Sequence, residues 1–521
     1  RMGSPRLLLA EISSSGTILL PMTREISRRG FVQGCAGVAV ASMLRGAAFA
    51  AANLAHDPNR PQFHLLPAAN WMNDPNGPIF WKGKYHMFFQ YNPHAAVWGD
   101  MHWAHAVSPD TVHWQHLPVA LAPTKGGPDG EGCFSGSAVV FNGVPTFLYT
   151  GVKSVSLPEA TLSDGHNNFR ETQCLATSDD TELRTLKKLP QPVLPAPPPG
   201  LAITGFRDPC LWREGDVWYM GIGSGIRNKG GCVLLYRSRD LRQWEYLHPL
   251  ASGDWNGKTG TDPVDSGEMW ECPDFFQLGN KHVLFYSTER KVIWTTGDYD
   301  AKEQRFTPQQ RGELDYGPHA YYAPKSMVDK DGNRILWGWI PETRPQAEYS
   351  RAGWAGLMSL PRVLSVGADG QLEMRVLPLV EKLRTNEPVQ WQSGAGRVVW
   401  PVKGLSAALE LRVLPLRGPV HVTIGTESRP AAHFQLDATH GALTFNGQQI
   451  GLTLPLGEIR LSLYLDGSVV EAFLNDRLAH TSRVYDIDPV HATVTILDRE
   501  SAVASAKLWQ MQPISPNRLT T

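Results

Sequence analysis

The stretch "RDPCLWREGDVWYMGIGS" (Arg207–Ser224), followed by "GCVLLYRSRDLRQWEYLHPL" (Gly231–Leu250), contains four short runs typical of β-strands, separated by turn residues. A short polar segment precedes the first strand, a Gly/Asp turn follows it, and the second strand is rich in aromatic residues. Alternation with a period of two is common here and helical periodicity is scarce. The stretch therefore predicts one structural unit of four strands.

Similar units recur along the chain between Pro67 and about Gly370. The other four begin with "NDPNGPIFW", "SGSAVVF", "ECPDFFQL" and "YAPKSMV". Four strands per unit at a spacing of roughly 50 to 70 residues is typical of propeller blades and not of helical solenoids. A stack of unrelated hairpins is the alternative. The five units predict an all-β fold whose first domain is a five-bladed β-propeller, which we assign to residues 53–370.

The residue pattern of the sequence changes after about Leu377. The stretch "PLVEKLRT" is typical of a short helical connector, and we assign residues 371–392 to a linker. Beyond it lie several short alternating strands, and "LSLYLDGSVVEAFLND" predicts a hairpin with Asp466-Gly467 at its turn. Residues 393–521 therefore predict a C-terminal β-sandwich, which would support the propeller or bind sugar weakly.

Composition narrows the class of partner. The chain has 521 residues, 42% of them hydrophobic, and a formal net charge of -1. These values are typical of a globular protein with a large core, and they argue against nucleic acid or a membrane as the main partner. The cysteines lack paired spacings, and His102-x-x-His105 lacks further ligands nearby, so we expect no disulfide framework, no metal and no cofactor.

The N-terminus has the pattern of a targeting signal. "SRRGFVQ" (Ser27–Gln33) is a twin-arginine motif, and a weakly apolar run follows it as far as Ala48-Phe49-Ala50. We interpret residues 1–52 as an N-terminal extension with a twin-arginine signal peptide; a buried helix is the alternative. This interpretation predicts export of the folded bacterial protein by the twin-arginine machinery, to the periplasm or the medium.

Three of the five units begin with a carboxylate: Asp74, Asp208 and Glu271. In a propeller the first strand of each blade lines the central channel, so the residues at the starts of these strands gather at one end of the axis. Two or three carboxylates without metal ligands suit the cleavage of glycosidic bonds. The alternative is that the three acids only cap turns.

The neighbours of these three acids suggest which role each acid has in the reaction. Asp74 is the candidate nucleophile, which Asn73 and the N–H groups of the turn would hold ionised. Glu271 is the candidate acid/base, because its longer side chain can reach a leaving oxygen. Arg207 should keep Asp208 charged, so that Asp208 binds hydroxyl groups and stabilises positive charge.

Seven motifs carry a resemblance to a known family. In chain order they are "WMNDPNG", "FFQYNP", "FSGSAV", "FRDP", "WECPDFF", "ILWGWI" and "GWAGLMSLPR". From about His64 to the C-terminus the chain resembles glycoside hydrolase family 32, the β-fructofuranosidases. The resemblance implies a five-bladed propeller with a C-terminal sandwich. It also implies a retaining reaction on β-linked fructose, in which Asp74 is the nucleophile, Glu271 the acid/base and Asp208 the transition-state stabiliser.

The same resemblance implies a set of substrate-binding residues. They are Trp71, Asn73, Gln90, Trp98, Phe134, Ser135 and Arg207. Asp315, in "LDYGPHAYYAPKS", resembles a residue on the substrate side of the pocket. Some sucrose-preferring members carry Lys where Pro318 stands here, which weakens the expectation of strict sucrose specificity.

We therefore predict an exported enzyme that releases terminal β-D-fructofuranose from sucrose or from short fructans of the inulin or levan type. Three alternatives remain at this stage. The same site could pass fructose to another sugar, the protein could bind sugar without catalysis, or it could be a five-bladed glycosidase for arabinose- or xylose-type sugars. The intact acids argue against a protein that only binds, and the full motif series argues against the third alternative.

Overall fold

The computed structural model describes residues 54–163, 168–258, 262–415, 418–450 and 457–515. The predicted signal peptide lies outside these residues and stays a prediction. The part of the chain that the structure describes consists mainly of β-strands. Its helical segments are short: the α-helix α1 (Gln346–Ala352) and the 3-10 helices Leu157–Glu159, Pro378–Leu383 and Lys403–Leu405. No helix in the described ranges is long and apolar enough to cross a membrane.

The first three sheets follow one another along the chain, and each is built from a consecutive run of strands. The first contains β1 (Asn70–Trp81), β2 (Lys84–Asn92), β3 (His102–Ser108) and β4 (Gln115–Leu121). The second contains β5 (Gly132–Phe141), β6 (Val144–Ser154), β7 (Leu162–Ser163), β8 (Asn168–Thr177) and β9 (Lys187–Lys188). The third contains β10 (Ile203–Glu214), β11 (Val217–Ile226), β12 (Gly230–Ser238) and β13 (Glu245–Ser252).

Two further sheets complete the series. The fourth contains β14 (Glu271–Leu278), β15 (Lys281–Thr288), β16 (Lys291–Asp300) and β17 (Arg305–Glu313). The fifth contains β18 (Tyr322–Val328), β19 (Arg334–Ile340), β21 (Leu357–Met358), β22 (Arg362–Val366) and β23 (Leu372–Val376). The short strand β20 (Trp354–Ala355), between β19 and β21 in sequence, pairs in parallel with β1 and so returns the chain to the first sheet.

The first strands of the five sheets contact one another in cyclic order. β1 contacts β5 and β18, β10 contacts β5 and β14, and β14 contacts β18. Eight of the twelve residues of β1 are buried, whereas only one of the seven residues of β4, at the outer edge of the same sheet, is buried. This is the arrangement of a β-propeller, in which the innermost strands surround the axis. The predicted all-β propeller is confirmed, and its sheets coincide with the units seen in the sequence.

The C-terminal part forms two packed six-stranded sheets. Their strands are β24 (Arg384–Trp391), β25 (Gly396–Pro401), β26 (Ser406–Val413), β27 (Val420–Gly425), β28 (Pro430–Asp437), β29 (Ala442–Phe445), β30 (Gln448–Gln449), β31 (Ile459–Asp466), β32 (Val469–Leu474), β33 (Leu478–Arg483), β34 (Thr493–Asp498) and β35 (Val503–Met511). A single apolar cluster lies between the sheets, so the predicted sandwich is confirmed.

The predicted linker at 371–392 is wrong at both ends. Leu372–Val376 pairs with β22 and is the last strand of the fifth sheet, and Arg384–Trp391 pairs with β35 in the sandwich. The connection is the 3-10 helix Pro378–Leu383, whose Val380 and Leu383 are buried. The alternation in the two flanking strands is too short to be told from a connector by sequence alone.

Candidate active site

The first strands of all five sheets are irregular at the same place. In each one the pairing with its neighbour skips two residues near the start of the strand, which is a β-bulge. The skipped pairs are Asn73-Asp74, Phe134-Ser135, Asp208-Pro209, Cys272-Pro273 and Ala323-Pro324. Bulges redirect side chains out of a sheet and are common next to active sites. In three sheets residues of the skipped pair, and in the other two the residue immediately before it, Glu271 or Tyr322, face one common space.

That space is a cavity of ≈ 320 Å³, a size typical of small-ligand sites. All three predicted acids, Asp74, Asp208 and Glu271, line it. The remaining lining residues are Asn73, Gln90, Trp98, Phe134, Ser135, Leu162, Phe169, Arg207, Asp262, Tyr322 and Trp339. The structure thus brings together three carboxylates from three different sheets, as the propeller prediction requires.

Asp74 accepts three side-chain hydrogen bonds. Ser135 Oγ donates to Oδ2 at 2.6 Å, Asn73 Nδ2 donates to Oδ1 at 3.1 Å, and Cys272 Sγ donates to Oδ2 at 3.4 Å. These bonds favour the ionised form, as expected for Asn73. Burial, together with the charge of Glu271, outweighs them and raises the pKa of Asp74 above its usual value.

Asp208 is held mainly by the backbone. The N–H of Cys272 donates to Asp208 Oδ2 at 2.9 Å, and the Cys272 thiol donates to the same oxygen at 3.4 Å. Burial, and then the charges of Glu271 and Asp74, raise the pKa of Asp208 to about 7 even though Arg207 lowers it. Arg207 thus lowers the pKa of Asp208, in the direction expected, but burial and the two like charges outweigh it and the net shift is upwards.

Arg207 instead binds Glu271. Its Nε and Nη2 donate to Glu271 Oε1 at 3.0 and 2.8 Å, and its Nη1 donates to Glu171 at 2.8 Å. The hydroxyl of Tyr322 donates to the other oxygen, Glu271 Oε2, at 2.8 Å. Glu271 keeps 23% of its side chain exposed, whereas Glu171 is fully buried. Glu271 is thus oriented by two residues and faces the open cavity.

The cluster can hold protons as well as charge. Four carboxylates, those of Asp74, Asp208, Asp262 and Glu271, line one cavity together with the guanidinium of Arg207, which is also bound to Glu171. Like charges at short range cannot all ionise in a buried site, so the protons belong to the group of acids and not to one residue. A site with one ionised and one protonated carboxylate can attack a sugar carbon and protonate a leaving oxygen.

The predicted binding residues around the acids mostly line the cavity. Gln90 Nε2 donates to the carbonyl of Cys133 at 2.9 Å, which fixes its amide in the wall. Trp98 is 50% exposed at the rim, and its ring meets that of Phe134 edge-on at 6.0 Å. A half-exposed indole beside a polar cavity provides a flat apolar surface for a sugar ring. Ser135 lies deeper and binds Asp74 directly.

Trp71 is not in contact with the cavity, contrary to its prediction as a binding residue. Its Nε1 donates to Asn73 Oδ1 at 2.7 Å, and its ring packs edge-on against Trp339 at 5.8 Å. Because that bond fixes the Asn73 amide, whose nitrogen donates to Asp74, Trp71 acts behind the wall as a positioning residue.

Asp315, predicted on the substrate side of the pocket, is not among the described residues that line the cavity. Its carboxylate accepts hydrogen bonds from the Thr481 N–H at 2.8 Å and from Arg362 Nη2 at 2.9 Å. Thr481 belongs to β33 of the sandwich. The segment that follows β17 docks against the sandwich, and this contact turns the Asp315 side chain away from the substrate side.

Sequence reasoning missed several residues of the site. They are Tyr322, Trp339, Asp262, Leu162, Phe169 and Glu171. Tyr322 could have been found, because it begins the first strand of the fifth sheet, just as Glu271 begins the first strand of the fourth sheet. Asp262, Leu162 and Phe169 come from connecting segments or outer strands that no repeat pattern places near the axis.

The fold and this site together define a glycosidase. The Glycosyl hydrolases family 32 N-terminal domain matches residues 64–376, and the family 32 C-terminal domain matches residues 425–510. The chain therefore belongs to glycosyl hydrolase family 32, as its motifs predict.

Characterised relatives agree with this membership. A sucrose-6-phosphate hydrolase of Escherichia coli is 38% identical over 82% of this chain and 89% of its own length. A raffinose invertase of Escherichia coli is 35% identical over 87% of this chain and 95% of its own length. The solved structure of a β-fructofuranosidase of Bombyx mori has 30% identity and a TM-score of 0.73, and the match covers 88% of this chain and 95% of that one. A variant of fructan 1-exohydrolase IIa of Cichorium intybus, solved in complex with 1-kestose, has 28% identity and a TM-score of 0.74. The match covers 88% of this chain and 98% of that one.

Proposed function

We propose that the protein is a retaining β-fructofuranosidase that releases terminal β-D-fructofuranosyl residues from sucrose and short fructans. The observation that carries the proposal is the convergence of Asp74, Asp208 and Glu271 at one cavity. The cavity ends on buried groups, with Asp208 only 3% exposed, so only the end of a sugar chain can reach the acids. Relatives with names such as raffinose invertase and fructan 1-exohydrolase support this class of substrate.

In the first step Asp74 attacks C2 of the fructosyl ring while Glu271 gives its proton to the leaving oxygen. The C2–O bond breaks, and a fructosyl ester of Asp74 forms. Arg207 occupies Oε1 of Glu271, so the proton is carried on Oε2, beside the Tyr322 hydroxyl. In the second step Glu271 takes a proton from water as the water oxygen attacks C2, which frees fructose and restores both carboxyl groups.

Asp208 stabilises the reaction without forming a bond to carbon. Its carboxyl group feels the charges of both Asp74 and Glu271, and its Oδ2 is fixed by the Cys272 N–H. A carboxylate held in this way accepts hydrogen bonds from fructose hydroxyls and opposes the positive charge that develops on the ring.

A product assay tests the proposal. Sucrose, inulin and levan are incubated separately with the wild-type enzyme and with Asp74→Asn and Glu271→Gln. We expect fructose release by the wild type, and a decrease of kcat of about 10²–10⁴-fold in each variant, because each removes a group that acts in both steps. Asp216→Asn, at a side chain that is 90% exposed, is the control and should retain wild-type activity.

The products decide between this proposal and its alternatives. Loss of sucrose with growth of longer oligosaccharides, and little free fructose, would assign the site to fructosyl transfer. Sugar binding without turnover in the wild type would identify a protein that only binds. Turnover that survives both active-site substitutions would rule out the assigned roles.

We also propose that the chain is exported by the twin-arginine route. The support is the Arg28-Arg29 pair, which precedes a weakly apolar run and a small-residue cleavage pattern. Replacing both arginines by lysine should retain the enzyme in the cytoplasm of a bacterial host, measured as activity in separated cell fractions. Equal activity outside the cytoplasm for both forms would contradict this route.

A further inference from the structure

A second cavity of ≈ 420 Å³ opens beside the first. The two share Asp262, Glu271, Tyr322 and Trp339 in their walls. If Glu271 protonates the leaving oxygen, as proposed above, that oxygen lies at the boundary between the cavities. The first cavity then holds the fructosyl ring, and the second receives the group that leaves.

The walls of the second cavity contain more negative than positive groups. Among the described residues that line it, Arg290 is the only Lys or Arg. It already donates to Asp265, through Nε at 3.3 Å and Nη2 at 3.5 Å. His319, at the same rim, has its Nδ1 at 3.5 Å from the carbonyl of Arg290. Arg290 therefore already has a carboxylate partner, at long distances and in an exposed position.

Four carboxylates line the same cavity, and three of them are paired with arginine: Asp265 with Arg290, Glu271 with Arg207, and Glu342 with Arg344 and Arg483. Asp262 differs from these three. In the part of the chain that the structure describes, no Lys or Arg forms an ion pair with Asp262; its Oδ1 accepts a hydrogen bond from the Val264 N–H at 2.9 Å. Glu271 shares Arg207 with Glu171. A dianionic phosphate in this cavity would lie close to both Asp262 and Glu271.

A neutral sugar fits the same walls. Carboxylate oxygens accept hydrogen bonds from sugar hydroxyl groups, and Asp262 stands where a ring bonded to the leaving oxygen would lie. Trp339 and Tyr322 supply aromatic surface at the boundary of the two cavities. The second cavity thus offers acceptors and ring surface, which an uncharged sugar can use.

We propose that this second cavity selects an uncharged leaving sugar and disfavours one that carries a phosphate. The inference rests on the proposed function and adds its substrate class. It distinguishes this chain from the relative that is 38% identical to it, whose name, sucrose-6-phosphate hydrolase, specifies a phosphorylated substrate. Both partners of the Arg290–Asp265 pair are more than half exposed, so the selection is moderate and depends on salt.

The test compares two substrates of the wild-type enzyme. Sucrose, and sucrose phosphorylated on C6 of its glucosyl ring, are assayed for fructose release at low and at high ionic strength. We expect kcat/KM to favour sucrose by about tenfold at low salt, equivalent to about 1.4 kcal/mol. The preference should decrease in about 1 M salt, where the screening length is about 3 Å.

Two variants locate the cause of the preference. Asp265→Asn releases Arg290 from its ion pair, and Asp262→Asn removes the carboxylate without a cation; Asn keeps the size of either side chain. Each should shift the ratio of the two kcat/KM values towards the phosphorylated substrate by about three- to tenfold. Asp298→Asn, which breaks the exposed ion pair of Lys281 elsewhere on the fourth sheet, is the matched control and should leave the ratio unchanged.

Each result has a defined meaning. Equal or faster cleavage of the phosphorylated substrate overturns this inference and leaves the proposed function intact. A preference for sucrose that neither salt nor the two variants change also overturns it, because charge would then not be the cause. If neither substrate releases fructose, the proposed function fails and this inference fails with it.

Discussion

At the scale of single residues, the ionisation of Asp74 depends on Ser135. The Ser135 hydroxyl donates the shortest of the three hydrogen bonds to Asp74, at 2.6 Å, and this bond opposes the rise in pKa that burial causes. Removing it in Ser135→Ala should raise the pKa of Asp74 further, since the ionised form loses a donor. We expect kcat/KM to fall by about tenfold and the acid limb of its pH profile to move to higher pH.

Ser137 provides the matched control for this prediction. It lies two residues further along β5, and its hydroxyl donates to the carbonyl of Pro209 at 2.6 Å and not to a carboxylate. Ser137→Ala should therefore leave the acid limb in place, even if it costs some stability. An acid limb that moves equally in both variants would show that the shift comes from general loosening of β5.

The sequence identifies the reacting residues better than it describes their environment. Asp74, Asp208 and Glu271 were predictable because each stands at the start of a repeated unit, and repetition fixes their place near the axis. The pKa of Asp208 was not, because it depends on how burial balances against Arg207. The contacts of Asp315 were not predictable either, because a motif shows that a residue matters without showing which way its side chain points.

At the scale of the structural element, the bulged first strand is the device that builds the site. Gly136 follows the bulge at Phe134-Ser135 and lies against the neighbouring strand β6. A Cβ at this position would lie 2.1 Å from the carbonyl oxygen of Leu148, which is backbone and cannot move aside easily. We expect Gly136→Ala to lower the free energy of unfolding by roughly 2 to 3 kcal/mol, measured by urea denaturation.

The same substitution should also reduce activity, because it displaces Ser135 next to it. Gly396→Ala is the control: a Cβ there meets only Trp391, at an ordinary distance of 3.8 Å. If Gly136→Ala unfolds at the same urea concentration as the wild type, the close approach of β5 and β6 does not constrain this position.

Elements were predictable where the pattern repeats and not where it is unique. Five similar units indicated the propeller, and the hairpin at Asp466-Gly467 was visible from its turn residues. The short strands Leu372–Val376 and Arg384–Trp391 occur once each, and both were assigned to a linker. Only their hydrogen bonds to β22 and β35, which depend on tertiary structure, define them.

At the scale of the whole molecule, a buried network of charges joins the propeller to the sandwich. His64 lies between the carboxylates of Asp466 and Glu471, with Nδ1 and Nε2 at 2.7 and 3.0 Å from them. Glu471 also binds Arg362, which in turn binds Asp315. These residues are up to about 400 positions apart, and no local pattern in the sequence predicts that they meet.

The network predicts that stability decreases at alkaline pH. Burial alone would lower the pKa of His64, but the hydrogen bonds and charges of Asp466 and Glu471 outweigh it and raise the pKa to about 9. The unfolded chain binds this proton with a pKa of about 6.5. The stabilisation is therefore complete below about pH 6.5 and is lost as the pH rises through about 9, a change of about 3 kcal/mol in the free energy of unfolding.

His64→Gln separates this effect from other pH-dependent groups. At pH 6 the variant should be less stable than the wild type by about 3 kcal/mol, because two buried carboxylates lose their shared cation, and the difference should narrow towards pH 9. His491→Gln, in an exposed pair with Asp488, should change stability by less than about 0.5 kcal/mol at either pH. A difference between His64→Gln and the wild type that stays constant from pH 6 to 9 would mean that His64 acts through packing and not through its charge.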